Sequence, residues 1–280
     1  MIRPNRMWGA AVVLLCAQGA AVAGVSPEAA QDLARKSGLL AQLDSVGSQV
    51  GAGMSAAVAK NAATLSAEQQ AKLLGCAQSA YASEGLRKTA IDAVAGGLQS
   101  ADVSVLNAWY DGALGHQIAL IEHDSSELVP DPQERVRRGT DVLASASDAR
   151  KAALQAIVTK SHSVEMMADT VIEMTLAVQQ GMASVVPSAP GNSTAELKAR
   201  LESQRPQIVG HYAQISLNAF AFTYGGLSDD ELQRYADFLG SPSGIAFNDA
   251  TMRGVARALN SGAVQLGRCM QQGGRSAKGA

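Results

Sequence analysis

Residues able to do chemistry are few in this chain and widely spread. His116, Glu122 and His123, with Asp124 next, bring imidazoles and carboxylates close together; these are the donors of an N/O metal site and the groups of acid–base hydrolysis. On a helix, positions i and i+7 stand about 10 Å apart, so His116 and His123 cannot chelate one ion together. Solvated or capping imidazoles are the simpler reading. Met166, Met167, Met174 and Met182 offer thioethers suited to Cu(I), but they extend along the chain as a core stripe would. Gly51-Ala52-Gly53-Met54-Ser55-Ala56 has the outline of a dinucleotide loop without the β-branched strand that should precede it. Asp102 and Glu231 each fall in the first turn of an expected helix, where the helix dipole accounts for a carboxylate. A nucleophile elbow, a P-loop and an H-E-x-x-H helix are absent from the sequence. No cofactor is implied.

The aromatic residues make a second kind of candidate. Trp109, Tyr110, Tyr235 and Phe238, with Gly115 and Gly244 close behind them, could border a crevice between helices that accepts an apolar ligand or a partner helix. Packing of the rings in a core is the competing account.

Helices must position all of these groups. Aromatics make up only 4% of the 280 residues, alanine is abundant, and the β-branched and aromatic surfaces that strands favour are scarce. The fold expected is all-α, with no sheet. Helix starts are marked at Ser26-Pro27-Glu28 and by capping-box spacings at Ser66 with Gln69, Ser193 with Glu196, and Ser228 with Glu231. Breaks fall at Gly96-Gly97, where a left-handed C-cap is expected, at Pro130-Asp131-Pro132, at Pro187 to Gly191, and at Ser241 to Gly244. Apolar stripes of helical period run through Leu227, Leu232, Tyr235, Phe238 and Leu239, and through Met167, Val171, Met174 and Val178.

Shifting the chain against itself by 129 places Gly96-Gly97-Leu98 on Gly225-Gly226-Leu227, Asp102 on Glu231, Trp109 on Phe238, Gly115 on Gly244 and Ile118 on Phe247. A shift of 128 places Gly53-Met54 on Gly181-Met182. The pattern predicts a tandem pair of related helical-hairpin domains. The boundaries expected are a signal peptide over 1–23, a first helical domain over 24–124, a linker over 125–146, a second helical domain over 147–272 and a disordered tail over 273–280.

The run Leu227-Ser228-Asp229-Asp230-Glu231-Leu232, then Tyr235, Phe238-Leu239 and Ser241-Pro242-Ser243-Gly244, resembles the signature of a bacterial exported family, domain of unknown function 2059. The stretch from Leu98 to Gly115 is a weaker second copy, with Asp111-Gly112-Ala113-Leu114-Gly115 replacing the Ser-Pro-x-Gly turn, and Phe238-Leu239 departs from the usual Phe-Tyr pair. The resemblance implies an exported all-helical domain and brings no catalytic residue with it.

Arg3 and Arg6, the apolar run Met7 to Leu15 and the triplet Ala21-Val22-Ala23 read as a secretory signal cleaved between Ala23 and Gly24. Cys16 follows Leu15, which does not suit a lipobox. Removing Arg3 and Arg6 leaves 21 basic against 25 acidic residues, a formal charge of −4, with no basic stripe for nucleic acid and no transmembrane segment after cleavage. In an oxidising compartment Cys76 and Cys269 could bridge, or could remain two small buried thiols. These readings converge on a periplasmic binding or interaction module of the cell envelope, more a binder than an enzyme, with an envelope protein or an apolar ligand as partner. The alternative is an envelope hydrolase or metal-dependent enzyme built around His116, Glu122 and His123.

Overall fold

The computed structural model describes residues 24–61, 63, 66–183 and 193–276. The expected signal segment with Cys16, the break from Pro187 to Gly191 and residues 277–280 lie outside them. Twelve helices and no strand make up the described residues: α1 Pro27–Lys36, α2 Leu39–Lys60, α3 Ala67–Ala80, α4 Ser83–Gly97, α5 Ser100–Tyr110, α6 Ala113–Leu128, α7 Pro132–Ala144, α8 Asp148–Lys160, α9 Ser163–Ala183, α10 Thr194–Thr223, α11 Asp229–Leu239 and α12 Pro242–Ser276. The fold is all-α, as expected. None of the described helices is long and apolar enough to cross a membrane.

Local chemistry sets the helix starts. Ser66, Ser193 and Ser228 each accept a hydrogen bond from the backbone N–H three residues on, and Gln69, Glu196 and Glu231 reach back to the capping residue's N–H. Each box satisfies two backbone donors that the first turn leaves over. Ser26 with Pro27 opens α1, Asp131 with Pro132 opens α7, and Ser241 Oγ accepts from Gly244 N–H at the start of α12. The Gly-Gly corners differ from expectation. Positive φ occurs at Gly38 and His162 and not at Gly96, Gly97, Gly225 or Gly226, so α4 and α10 do not end in left-handed caps. Gly97 is needed for proximity instead: a Cβ there would stand 2.5 Å from the Cβ of Ala250 on α12.

That contact belongs to a line of small residues along α12, where Ala250, Gly254, Ala258 and Gly262 follow one another at i, i+4. Ala250 and Ala258 are buried, a Cβ on Gly254 would meet Ala90 Cα at 3.0 Å, and one on Gly262 would meet the Tyr81 ring at 2.6 Å. The chain's last helix thus lies backbone-close along α4 and the end of α3. A disulfide between Cys76 and Cys269, Cα atoms 5.7 Å apart, ties α3 to α12 further along. The pair expected as either bridge or free thiols is a bridge, and its 193-residue separation allows up to about 5 kcal/mol of loop-entropy stabilisation.

Two hydrophobic cores result, and each borrows a helix from across the chain. Leu33, Leu43, Leu86, Val94, Leu98 and Leu106 form the first together with Phe247 and Ala258 of α12. Leu154, Ile157, Tyr224, Leu227, Leu232 and Leu239 form the second together with Ile118 of α6. The partition expected at 124 and 147 therefore does not follow the packing. The stretch 125–146, expected as a linker, carries α7, whose Gly139 has no room for a Cβ because the Asn218 carbonyl oxygen of α10 would lie 1.7 Å away. Helix α12 also continues to Ser276, beyond residue 272. Among the described side chains of α9 the buried positions are Val164, Ala168 and Ile172, and Met167 is exposed, so the inward stripe there lies to one side of the expected one, whose Met174 and Val178 fall outside the described side chains.

The two corners that follow α5 and α11 have the same geometry. A Cβ on Gly115 would stand 2.2 Å from Trp109 O, and one on Gly244 would stand 2.0 Å from Phe238 O. Gly267 faces open space within α12. Gly115→Ala and Gly244→Ala are each expected to destabilise by about 1–3 kcal/mol through overpacking. Gly267→Ala is expected to stabilise by about 0.5–1 kcal/mol through helix propensity. Urea unfolding of the three variants checks the opposite signs.

Candidate functional site

The four aromatic residues singled out above are brought together, with both corner glycines behind them. Trp109 and Phe238 stack with centroids 4.1 Å apart and planes 4° from parallel, Tyr235 stacks 6.2 Å from Trp109, and Tyr110 meets Phe238 edge-on at 6.0 Å. Gly115 and Gly244 allow α6 and α12 to turn tightly against the carbonyls of Trp109 and Phe238, which sets the two rings face to face. The rings give their faces to one another rather than to an opening. They join the two cores: Phe238 packs against both, while Tyr110 also meets Phe247 edge-on at 5.7 Å.

Glu122 enters this junction from α6. Its Oε1 accepts from the Tyr224 hydroxyl at 2.6 Å and from the Tyr235 hydroxyl at 2.9 Å. Burial pushes the Glu122 carboxyl above its ordinary range, and the two phenol hydrogen bonds offset part of that rise. Burial, followed by the charge of Glu122, holds the Tyr110, Tyr224 and Tyr235 phenols above theirs. His116 and His123 lie exposed on the same helix, so the three residues of the hydrolase or metal reading do not converge. Among the described residues no group of three or more His, Cys, Asp or Glu side chains could hold a metal ion. Gly51 and Gly53 sit inside α2 with no strand before them. Asp102 and Glu231 accept the capping-residue N–H groups of Gln99 and Ser228, as first-turn carboxylates should.

An open cleft lies elsewhere, between α2, α3 and the start of α4. It has a volume of about 530 Å³, within the range of small-molecule sites. Gly47, Ser48, Gly51 and Ser55 line one wall on α2, facing Leu74 and Gln78 on α3, with Tyr81 and Ser83 at the end. Asp44 is its charged lining residue. Arg87 of α4 donates to Asp44 Oδ2 through Nη2, while Asp44 Oδ1 is buried and accepts no hydrogen bond from the protein. The ion pair raises the Arg87 pKa. The walls are held from behind: Tyr81 is buried against Gly262 of α12, and Cys76 of α3 is covalently bound to Cys269.

Sequence reasoning did not find this cleft. The available signal was a helical face that begins at an acid and continues in small residues, Asp44, Gly47, Ser48, Gly51 and Ser55. Arg150 was missed as well. Its side chain is 14% exposed and donates to Leu227 O at 2.8 Å, Tyr224 O at 2.8 Å, Gly225 O at 3.1 Å and Asp229 Oδ1 at 3.1 Å, closing the turn between α10 and α11. No family model, curated protein or solved structure matches this chain.

A carboxyl whose folded pKa is raised binds its proton more tightly folded than unfolded. Glu122 thus lowers stability as pH rises from its unfolded value, about 4.3, through the higher folded one. Glu122→Gln should remove this part of the pH dependence and keep an acceptor for the tyrosines. Glu122→Leu should cost about 1–3 kcal/mol by leaving two buried hydroxyls unpaired. Thermal melts of the three proteins between about pH 4 and pH 8 test both signs.

Proposed function

We propose that this chain is an exported, periplasmic binding module of the cell envelope, made of two diverged copies of one helical unit, and that the α2–α3 cleft of the first copy holds a small ligand. The cleft carries the reading. It combines an open groove, a glycine and serine wall that leaves room for an occupant, an apolar patch at Leu74 and one carboxylate, without a nucleophile–base pair among the residues that line it. The exported address rests on the basic, apolar and Ala21-Val22-Ala23 segments, and the resemblance to domain of unknown function 2059 points the same way.

Matching local chemistry supports the two copies. Ser26 and Ser147 cap α1 and α8 through the N–H groups of Ala29 and Arg150. Lys36 and Lys160 end those helices and reach carboxylates at Asp111, just after α5, and at Asp237, near the end of α11. Gly38 and His162 then supply the two positive-φ turns. Gln99 with Asp102 and Ser228 with Glu231 box α5 and α11, and Gly115 and Gly244 turn the corners that follow. The paired caps are 121 residues apart, the paired turns 124 and the corners 129. The differences place small insertions between them.

A Cβ on Gly51 would project into open space, so Gly51→Leu fills the cleft while gaining about 0.8 kcal/mol of helix propensity. Native mass spectrometry of the protein purified from its own periplasm is expected to show a small-molecule adduct that Gly51→Leu lacks at unchanged melting temperature. An adduct retained equally by Gly51→Leu, or no adduct on the parent, defeats the cleft. Recovery of the protein from the cytoplasm alone defeats the address.

A further inference from the structure

Gly24 and Val25 lie against the end of α4. Val25 N–H donates to Ala95 O at 3.0 Å, and Val25 is buried in the first core. Gly24 beside it has no space for a side chain: a Cβ would stand 2.4 Å from Ala95 O and 3.4 Å from Gly96 Cα. The last turn of α4 holds no basic residue, and its capping residue Leu98 is extended. Helix C-termini leave carbonyls over and concentrate partial negative charge, so a cation within the last turn is favourable. At the corresponding corner of the second half, between α10 and α11, that cation is Arg150, third residue of α8, bound to three carbonyls. The third residue of α1, bonded to its cap in the same way, is Ala29 and carries no charge. The first corner has no counterpart of Arg150; the cation nearest the end of α4 is Arg253 of α12, beside Gly97.

We propose that cleavage between Ala23 and Gly24 completes this corner: the new α-ammonium of Gly24 adds a cation beside Ala95 O at the carbonyl end of α4, so that processing stabilises the fold. The inference rests on the exported reading for the cleavage and on the contacts of Gly24 and Val25 for the cap. In the precursor the Gly24 nitrogen is an uncharged peptide group, and the cap lacks its charge. A less stable precursor suits a chain that must cross a membrane unfolded, and release of the leader then locks the product. Gly24 meets both demands, as a small residue after the cleavage point and as the one side chain that fits beneath Ala95 O.

The charged groups around the corner are Glu28 of α1, Asp102 of α5 and Arg253 of α12, whose guanidinium lies beside Gly97. An α-amine loses its proton across about pH 7 to 9. The capping contribution is therefore present below the unfolded amine pKa, about 8, and lost as pH rises past the folded one.

The test compares two disulfide-bonded chains, one starting at Gly24 and one at Ala21. The Gly24 chain is expected to melt about 2 to 4 °C higher at pH 6.5 and to lose that advantage by about pH 9.5. Moderate salt should shrink the gap, which a merely steric effect of the three extra residues would not do. Parallel melting curves at every pH overturn the cap. Intact mass of the exported protein is expected to start at Gly24; another start overturns the processing step, while the two-chain comparison still judges the cap separately.

Discussion

The close approach of α12 to α4 is the contact on which the rest of the molecule depends. Ala250, Gly254, Ala258 and Gly262 give one helix a side nearly free of side chains, and Gly97 and Ala90 give the other a matching one. Close packing rewards such a fit with many short contacts and little side-chain entropy lost, because alanine and glycine have no rotamers to freeze. Once α12 is placed there, Phe247 falls into the first core, Gly262 receives Tyr81, and Cys269 comes within bonding reach of Cys76. The wall of the cleft is thus positioned by residues nearly two hundred positions away in sequence.

The aromatic junction does for the second core what α12 does for the first. Ile118 of α6 inserts into it, and Glu122, one turn further on, binds tyrosines from the end of α10 and from α11. A carboxylate among phenols is a demanding way to join two halves, since its desolvation must be met by hydrogen bonds of good geometry. Such a network accepts few alternative arrangements. It fixes the angle between the halves more narrowly than stacked rings alone, which can slide.

What the sequence made legible follows from the range over which each signal acts. The capping boxes at Ser66, Ser193 and Ser228 and the Ser-Pro starts at Ser26 and Ser241 involve residues three apart, and all of them form. Gly115 and Gly244 stood out because a shift of 129 sets one on the other, and each meets a carbonyl six residues back, whereas Gly96-Gly97, expected as a left-handed cap, has no positive φ. The cleft and the Glu122–tyrosine network stayed hidden for the opposite reason. Asp44 meets Arg87 across 43 positions and Glu122 meets Tyr235 across 113, so nothing in either local window announces the partner. In the stretch expected as a linker, the ion pairs of Glu134 with Arg137 and Arg138 lie on the surface of α7, but Gly139 immediately after them is where α7 touches α10.

The exchange of helices between the cores also bears on when the protein can fold. Leu33 and Val94 leave the ribosome long before Phe247 and Ala258, the residues that close their core. High contact order of this kind slows collapse and leaves no early fragment able to finish on its own. Helices α1, α2, α4 and α5 can meet one another early, but their core stays open on the side that Phe247 and Ala258 fill until α12 has been made.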